Sequence, residues 1–247
     1  MSSAQQTIAK PAERGVELLD RIDYRLMETP ADKDVIYRLR YRAYLNEGAI
    51  EPKRDHKITD RFDDMPNSWI FGVYLEGALA SSIRLSISSP EYPLCPSVDA
   101  FRDYLQPEVD QGKVMVDPTR FVADPELAGR FPELPYLTLR LCFVACNFFN
   151  ADLGLAIVRA EHRSFYTRLF NHQPLSPPRL CLGLTKPLCL MAVDFPASRE
   201  KVFARYPYLR SSYFERRMLF ERRAGAAASA LTASALPFAR ASIVPRS

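Results

Sequence analysis

Residues 136–150 are almost wholly apolar, and that one segment sets most of what the chain can fold into. Apolar residues on every side of a helical repeat predict a helix that is buried rather than amphipathic. Such a helix needs cover, and the chain supplies it as strands. Residues 69–75 and 78–88 flank Glu76-Gly77 and predict a hairpin. Residues 23–28, 113–123, 153–159, 180–184 and 188–195 predict further strands. A helix over 34–46 is expected between the first strand and the hairpin. Asp32 is its predicted cap and Gly48 its end, with Val35, Leu39 and Ala43 on one face. Shorter helices are predicted near 98–105 and over 163–171, 196–206 and 211–223. The fold class expected from this order is α+β or mixed α/β: a central mixed, twisted sheet flanked by helices.

The domain reading follows composition. Residues 1–20 are expected to be a flexible lead-in, and 21–223 a single domain with a helical extension at its C-terminal end. Residues 224–247, rich in Ala and Ser, are expected to be a disordered tail. Charged residues make up 25% and the net charge is only +4, which disfavours a nucleic-acid binder but leaves room for a local basic patch. The five cysteines have no metal-ligand spacing, and Cys142 and Cys146 read as small apolar residues of the buried helix. An odd cysteine count and a polar beginning without an apolar signal segment predict a reducing, cytoplasmic setting. No run approaches the length of a membrane span.

Charges inside apolar elements are costly unless paired, and four segments of the chain carry charges that call for partners. Arg40 and Tyr44 fall in the first helix, Asp60 and Asp63 in the charged loop of residues 50–67, Arg84 within a strand, and Asp117-Pro118-Thr119-Arg120-Phe121 on the strand of residues 113–123. Together they predict an acid–arginine network around a cleft. On the bland reading Asp117–Arg120 is a structural ion pair and the rest pins the first helix and loop to the sheet.

These ordered motifs resemble the N-acyl amino acid synthases and the related acyl-homoserine lactone synthases, which share a GNAT-like acyltransferase fold. The match runs over roughly residues 24–195. A second segment, His162-Arg163-Ser164-Phe165-Tyr166-Thr167-Arg168-Leu169, resembles the amino acid branch more closely. Asp117 stands where lactone synthases usually carry Glu, and the tryptophan that usually follows their first helix is replaced by Ala49-Ile50.

The resemblance implies attack of an amine on an acyl thioester. Asp117 is then the candidate base, Arg120 its neighbour at the centre, and His162 a candidate acid for the departing thiolate or a helix-capping residue. Arg40, Tyr44, Asp60, Asp63, Arg84, Phe121 and Tyr166 are the implied substrate-binding residues. Leu141, Phe143, Phe148, Phe149, Trp69 and Phe71 line an acyl tunnel or are plain core. Arg159, Arg163 and Arg168 form the implied landing patch for an acyl carrier protein, whose acyl-phosphopantetheine is the donor, with no tightly bound cofactor and no metal. A second basic segment, Arg216, Arg217, Arg222 and Arg223, is a candidate for peripheral membrane contact. The alternatives left open are lactone synthesis from S-adenosylmethionine and a non-catalytic acyl-binding protein of the same fold.

Overall fold

A computed structural model of the protein describes residues 16–222; the expected tail over 224–247, and residues 1–15 of the expected lead-in, lie outside the described residues. Residues 16–19 are helical, and Leu18 is buried against Leu75, Ala80, Leu134 and Leu137. Seven strands form one sheet: β1 (Ile22–Leu26), β2 (Ser68–Leu75), β3 (Ala78–Ser88), β4 (Met115–Ala123), β5 (Leu153–Val158), β6 (Gln173–Pro174) and β7 (Cys189–Asp194). Their order is β1-β2-β3-β4-β5-β7-β6. Every pairing is antiparallel except β4 with β5. The sheet is mixed and flanked by helices, as the sequence pattern implies.

The hairpin turn falls on Glu76 and Gly77, at φ of 50° and 83°. Two successive left-handed residues match the twist of the flanking strands. Helix α1 (Pro30–Asn46) is capped by Thr29, not Asp32. Thr29 Oγ1 accepts from the Asp32 amide at 3.1 Å, and the Asp32 carboxylate accepts in return from the Thr29 amide at 3.2 Å. Asp32 therefore closes the reciprocal box from the third helical position. The Pro-rich segment after β3 holds two helices, α2 (Pro96–Ala100) and α3 (Arg102–Asp110). A short α4 (Pro125–Arg130) precedes the apolar α5 (Leu134–Phe148). Helices α6 (Arg163–Phe170), α7 (Phe195–Arg205) and α8 (Tyr213–Phe220) complete the described chain.

Residues 180–184, expected as a strand, are not one. Leu182 and Gly183 lie at φ of 57° and 69°, which bends the chain into a turn, and the flanking contact is a single bridge between Arg179 and Leu188. The apolar run looked like a strand because Leu182 faces the interior of a cleft rather than a neighbouring strand.

Helix α5 packs on one face of the sheet, joining Leu139, Phe143 and Val144 to Phe71, Leu85 and Val116. Its buried Arg140 donates to the Tyr208 carbonyl at 2.6 Å and pairs with Glu215 at 2.5 Å, so the helix's one charge ties down the segment before α8 and α8 itself. The other face carries α1 through Leu39, Ala43 and Val122, and α2 and α3 through Val98, Phe101, Leu105 and Met115. Among the described residues no helix is long and apolar enough to cross a membrane.

Candidate active site

The site begins with a strand pair that comes apart. β4 and β5 pair only at Met115–Leu153 and Val116–Gly154. Beyond Val116 the two strands diverge, and the edge of β4 turned away from β3 has no ladder partner. Its amide groups open onto the gap. The register with β3 also slips, from Arg84 opposite Thr119 to Ser82 opposite Val122. Arg120 and Phe121 on β4 thus face the single residue Ile83 on β3, a bulge. Arg120 itself sits at φ 55°, a left-handed value that only surrounding contacts hold in a non-glycine residue.

The gap is a cleft of about 420 Å³. Pro118 to Ala123 form one wall and Ala156 to Arg159 the other; Tyr44, His162, Phe165 and Tyr166 close it. Of the residues expected at the site, Tyr44, Arg120, Phe121, Arg159, His162 and Tyr166 line this cleft.

The acid–arginine network exists, with partners the sequence did not specify. Arg40 is fully buried and its Nη1 reaches both carboxylate oxygens of Asp63, at 2.8 and 3.0 Å. Arg84, also fully buried, donates to Asp63 at 2.9 Å, to Asp60 at 2.5 Å and to Thr119 Oγ1 at 3.1 Å. Arg120 takes the other oxygen of Asp60, at 3.0 Å from Nε and 2.7 Å from Nη2. Its Nη2 also donates to the Leu182 carbonyl at 3.2 Å. The order is Arg40–Asp63–Arg84–Asp60–Arg120, three cations on two acids. Only its last member lines the cleft. Burial pushes the Asp60 carboxyl up, but Arg84 and Arg120 outweigh it and hold it well below the ordinary carboxylate range. Asp63 sits in a single turn of 3-10 helix, Arg61–Asp64, which Asp60 caps by accepting from the Phe62 amide at 2.9 Å.

Asp117 stands apart from this network. It is fully buried, accepts from Ser97 N at 2.7 Å and Ser97 Oγ at 2.6 Å, and so caps the start of α2. It does not line the cleft and does not pair with Arg120, which takes Asp60 instead. The strand explains this. Val116 and Pro118 face α5, so Asp117 faces the α2 side. Burial pushes its carboxyl up, the two Ser97 bonds offsetting part of the rise.

At the cleft mouth Arg159 joins three groups: Glu47 at 3.2 Å, Glu161 at 3.1 Å and His162 Nε2 at 2.8 Å. Because guanidinium only donates, His162 Nε2 is the acceptor in this contact. Arg163 is half-buried and Arg168 exposed on α6, one turn and more beyond. Of the expected tunnel residues, none lines the cleft, and Phe143 lines the smaller cavity behind it. Trp69, Phe71, Phe148 and Phe149 instead stack around Phe220 as packed core, with ring centroids 5.3 to 6.3 Å from it.

Behind the cleft lies a smaller apolar cavity of about 30 Å³, which shares Pro118, Leu139 and Tyr166 with it. The deeper lining includes His172, one of three histidines in the chain and part of no motif. Among the described residues no cluster of His, Cys, Asp or Glu is arranged to hold a metal.

A sequence profile built on the N-acyl amino acid synthase FeeM matches residues 35–194. No curated protein sequence matches the chain significantly. Among solved structures, FeeM, an N-acyl amino acid synthase from uncultured soil microbes, is 16% identical. It superposes with a TM-score of 0.62 over 74% of this chain and 96% of that one. BjaI, a CoA-dependent acyl-homoserine lactone synthase, gives 14% identity and a TM-score of 0.57 over 86% of this chain and 99% of its own. TofI, solved with an inhibitor and MTA, gives 15% and 0.54 over 76% and 100%. These likenesses show a shared GNAT-like acyltransferase fold.

Proposed function

The chain belongs to the N-acyl amino acid synthase family, and from that premise we propose that it joins a fatty acyl group, delivered by an acyl carrier protein, to the amine of an amino acid. The observation that carries this reading is the splayed β4–β5 cleft, which runs from Arg120 at one end into an apolar cavity behind Tyr166. An extended pantetheine arm fits such a gap, because the unpaired edge of β4 offers it main-chain hydrogen bonds as a missing strand would.

In this reading the acyl chain enters the apolar cavity and the thioester lies beside the bulge. The acceptor's carboxylate meets Arg120, the one cleft-lining member of a network with an uncompensated positive charge. The amine nitrogen attacks the thioester carbon and the carbonyl becomes an oxyanion. Main-chain amides of β4 past Pro118, which has none itself, stabilise that charge. The C–S bond then breaks, and the thiolate takes the proton that the ammonium gives up. Tyr166, at the junction of cleft and cavity, is the proposed relay for that proton.

The acceptor's ammonium must lose a proton before its nitrogen can attack. Asp117 is secluded from the cleft and not placed to take that proton directly; the carboxylate that lines the cleft, Glu47, is paired with Arg159. Arg159, Arg163 and Arg168 form the proposed landing site for the acidic carrier.

The test is direct. The purified protein, an acylated carrier protein and a panel of amino acids are incubated, and products are read by mass spectrometry. N-acyl amino acids are expected, with Arg120→Leu losing acceptor affinity more than turnover. No product from any acceptor by a folded protein overturns the reading.

A further inference from the structure

Three exposed large apolar side chains share helix α8. Tyr213, Phe214 and Met218 are 68%, 71% and 68% exposed. At about 100° of rotation per residue, Tyr213, Arg217, Phe214 and Met218 follow one another round the helix and make one continuous outward arc. The inward side is anchored. Phe220 is buried, with ring centroids 5.3 Å from Phe71 and 5.7 Å from Phe149, and Leu219 packs on the same core. Glu215 pairs with the buried Arg140. These anchors fix which face of α8 looks outward. The one charge within the arc, Arg217, is matched by Glu221, whose Oε1 lies 2.9 Å from Arg217 Nη2.

Charge is distributed just as unevenly. Residues 211–247 hold six arginines and two glutamates, while residues 1–210 hold equal numbers of basic and acidic side chains. The whole net charge of +4 therefore falls in the segment that begins with α8. Both of its glutamates are already partnered, Glu215 by Arg140 and Glu221 by Arg217. Arg222 turns back onto the fold, donating to the Pro66 and Ser68 carbonyls and lying over the Trp69 ring. Arg223, Arg240 and Arg246 follow, and no Asp or Glu occurs after Glu221.

An apolar arc beside cations without acids matches the surface of an anionic bilayer. There, aromatic and Met side chains enter the headgroup layer and arginines meet lipid phosphates. A second copy of the chain is a poorer match. At about 200 Å² for a full aromatic side chain, the three groups expose about 400 Å², half the roughly 800 Å² that each partner gives to a stable protein complex. Pairing two copies through this face would also bring like charges together. We propose that α8, with the basic segment that follows it, seats the protein on an anionic phospholipid surface, Phe214 and Met218 entering the headgroup layer. No residue of α8 lines the cleft or the cavity behind it, so this contact stands apart from the acyltransferase reading.

The experiment is flotation. The full-length protein is mixed with vesicles of phosphatidylcholine alone, or of phosphatidylcholine and phosphatidylglycerol in equal parts, and the bound fraction is measured. Wild type is expected to float with the anionic vesicles and stay behind with the neutral ones, and added salt should release it. Phe214→Ser with Met218→Ser is expected to weaken binding to the anionic vesicles about tenfold or more, with an unchanged melting temperature. Phe214→Trp keeps the apolar bulk and guards against a double variant that misfolds. It should float as wild type does, and its emission should shift to the blue when anionic vesicles are added, since the native Trp69 is already buried. Wild type that stays behind with both vesicles overturns the inference, as does equal flotation of the double variant or an unshifted Phe214→Trp emission. A wild type that runs as a dimer beside a monomeric double variant assigns the face to a second copy and overturns it likewise.

Discussion

At the scale of single residues, two carboxylates, one half-buried and one fully buried, show how partner choice decides role. Asp60 has two guanidinium partners and is held ionised, whereas Asp117 accepts from the amide and hydroxyl of Ser97 and has the Cys95 thiol beside it. Asp117→Asn is expected to cost about 1 kcal/mol of stability through a weakened helix cap. Turnover should stay within about threefold of wild type, less than the 10²–10⁴-fold a lost general base costs. A hundredfold fall in kcat with an unchanged melting temperature would restore Asp117 as the base. His172 gives a second prediction. The unfolded imidazole titrates at 6.5 and the folded one at about 4, so between those values the unfolded chain binds a proton that the folded chain refuses. Stability is unaffected above pH 6.5 and falls as pH drops towards 4, by roughly 3 kcal/mol in all at about 1.4 per pH unit. His172→Leu should flatten that decline in a urea titration repeated across pH. A depressed carboxylate such as Asp60 acts lower, where its contribution is present above the usual carboxylate range and is lost as pH falls below it. The residues of the network were readable because Arg84 in a strand and Arg40 on an apolar helix face demand partners. Which acid each would take was not, since Asp117 and Arg120 are three apart in sequence yet serve different neighbours.

At the scale of elements, the sheet and the apolar helix follow closely from periodicity: β3 lies on residues 78–88 and α5 begins two residues before the apolar run. What periodicity could not supply was the bulge in β4, the turn at Leu182 and the separation of β4 from β5. Each is a departure from regular pairing, imposed by contacts from distant elements such as Asp60 on Arg120. The 3-10 turn of Arg61–Asp64 links them, because it holds α1 and β3 through one acid. Asp63→Ala would leave Arg40 and Arg84 buried with an acid removed, and chemical denaturation should show a loss of about 3–5 kcal/mol. The β5 wall supports a gentler test. Gly154→Ala adds a methyl that meets Val193 at 3.1 Å and narrows the cavity beside His172. With acyl donors of graded length, the product distribution should shift towards shorter chains at little cost to melting temperature. An unchanged distribution would mean that the chain runs elsewhere.

At the scale of the whole molecule, charge sets the encounter with the donor. A net charge of +4 is too small for general steering, so attraction to an acidic carrier must come from a local patch. Arg159 is committed to Glu47, Glu161 and His162 at the cleft mouth. Arg168 is exposed on α6 and Arg163 half-buried beside it, which leaves these two as the cations best placed to meet a carrier whose arm enters between β4 and β5. Reversing both, Arg163→Glu with Arg168→Glu, should lower kcat/KM for the carrier-bound donor by at least about tenfold at low salt, mostly through association. The deficit should shrink near physiological ionic strength, where the screening length is about 8 Å. A free acyl-pantetheine thioester, which carries no protein surface, should be used equally by variant and wild type. That contrast separates docking from chemistry: equal losses on both donors would place the two arginines in the reaction itself, and no loss on either would move the landing site to another face.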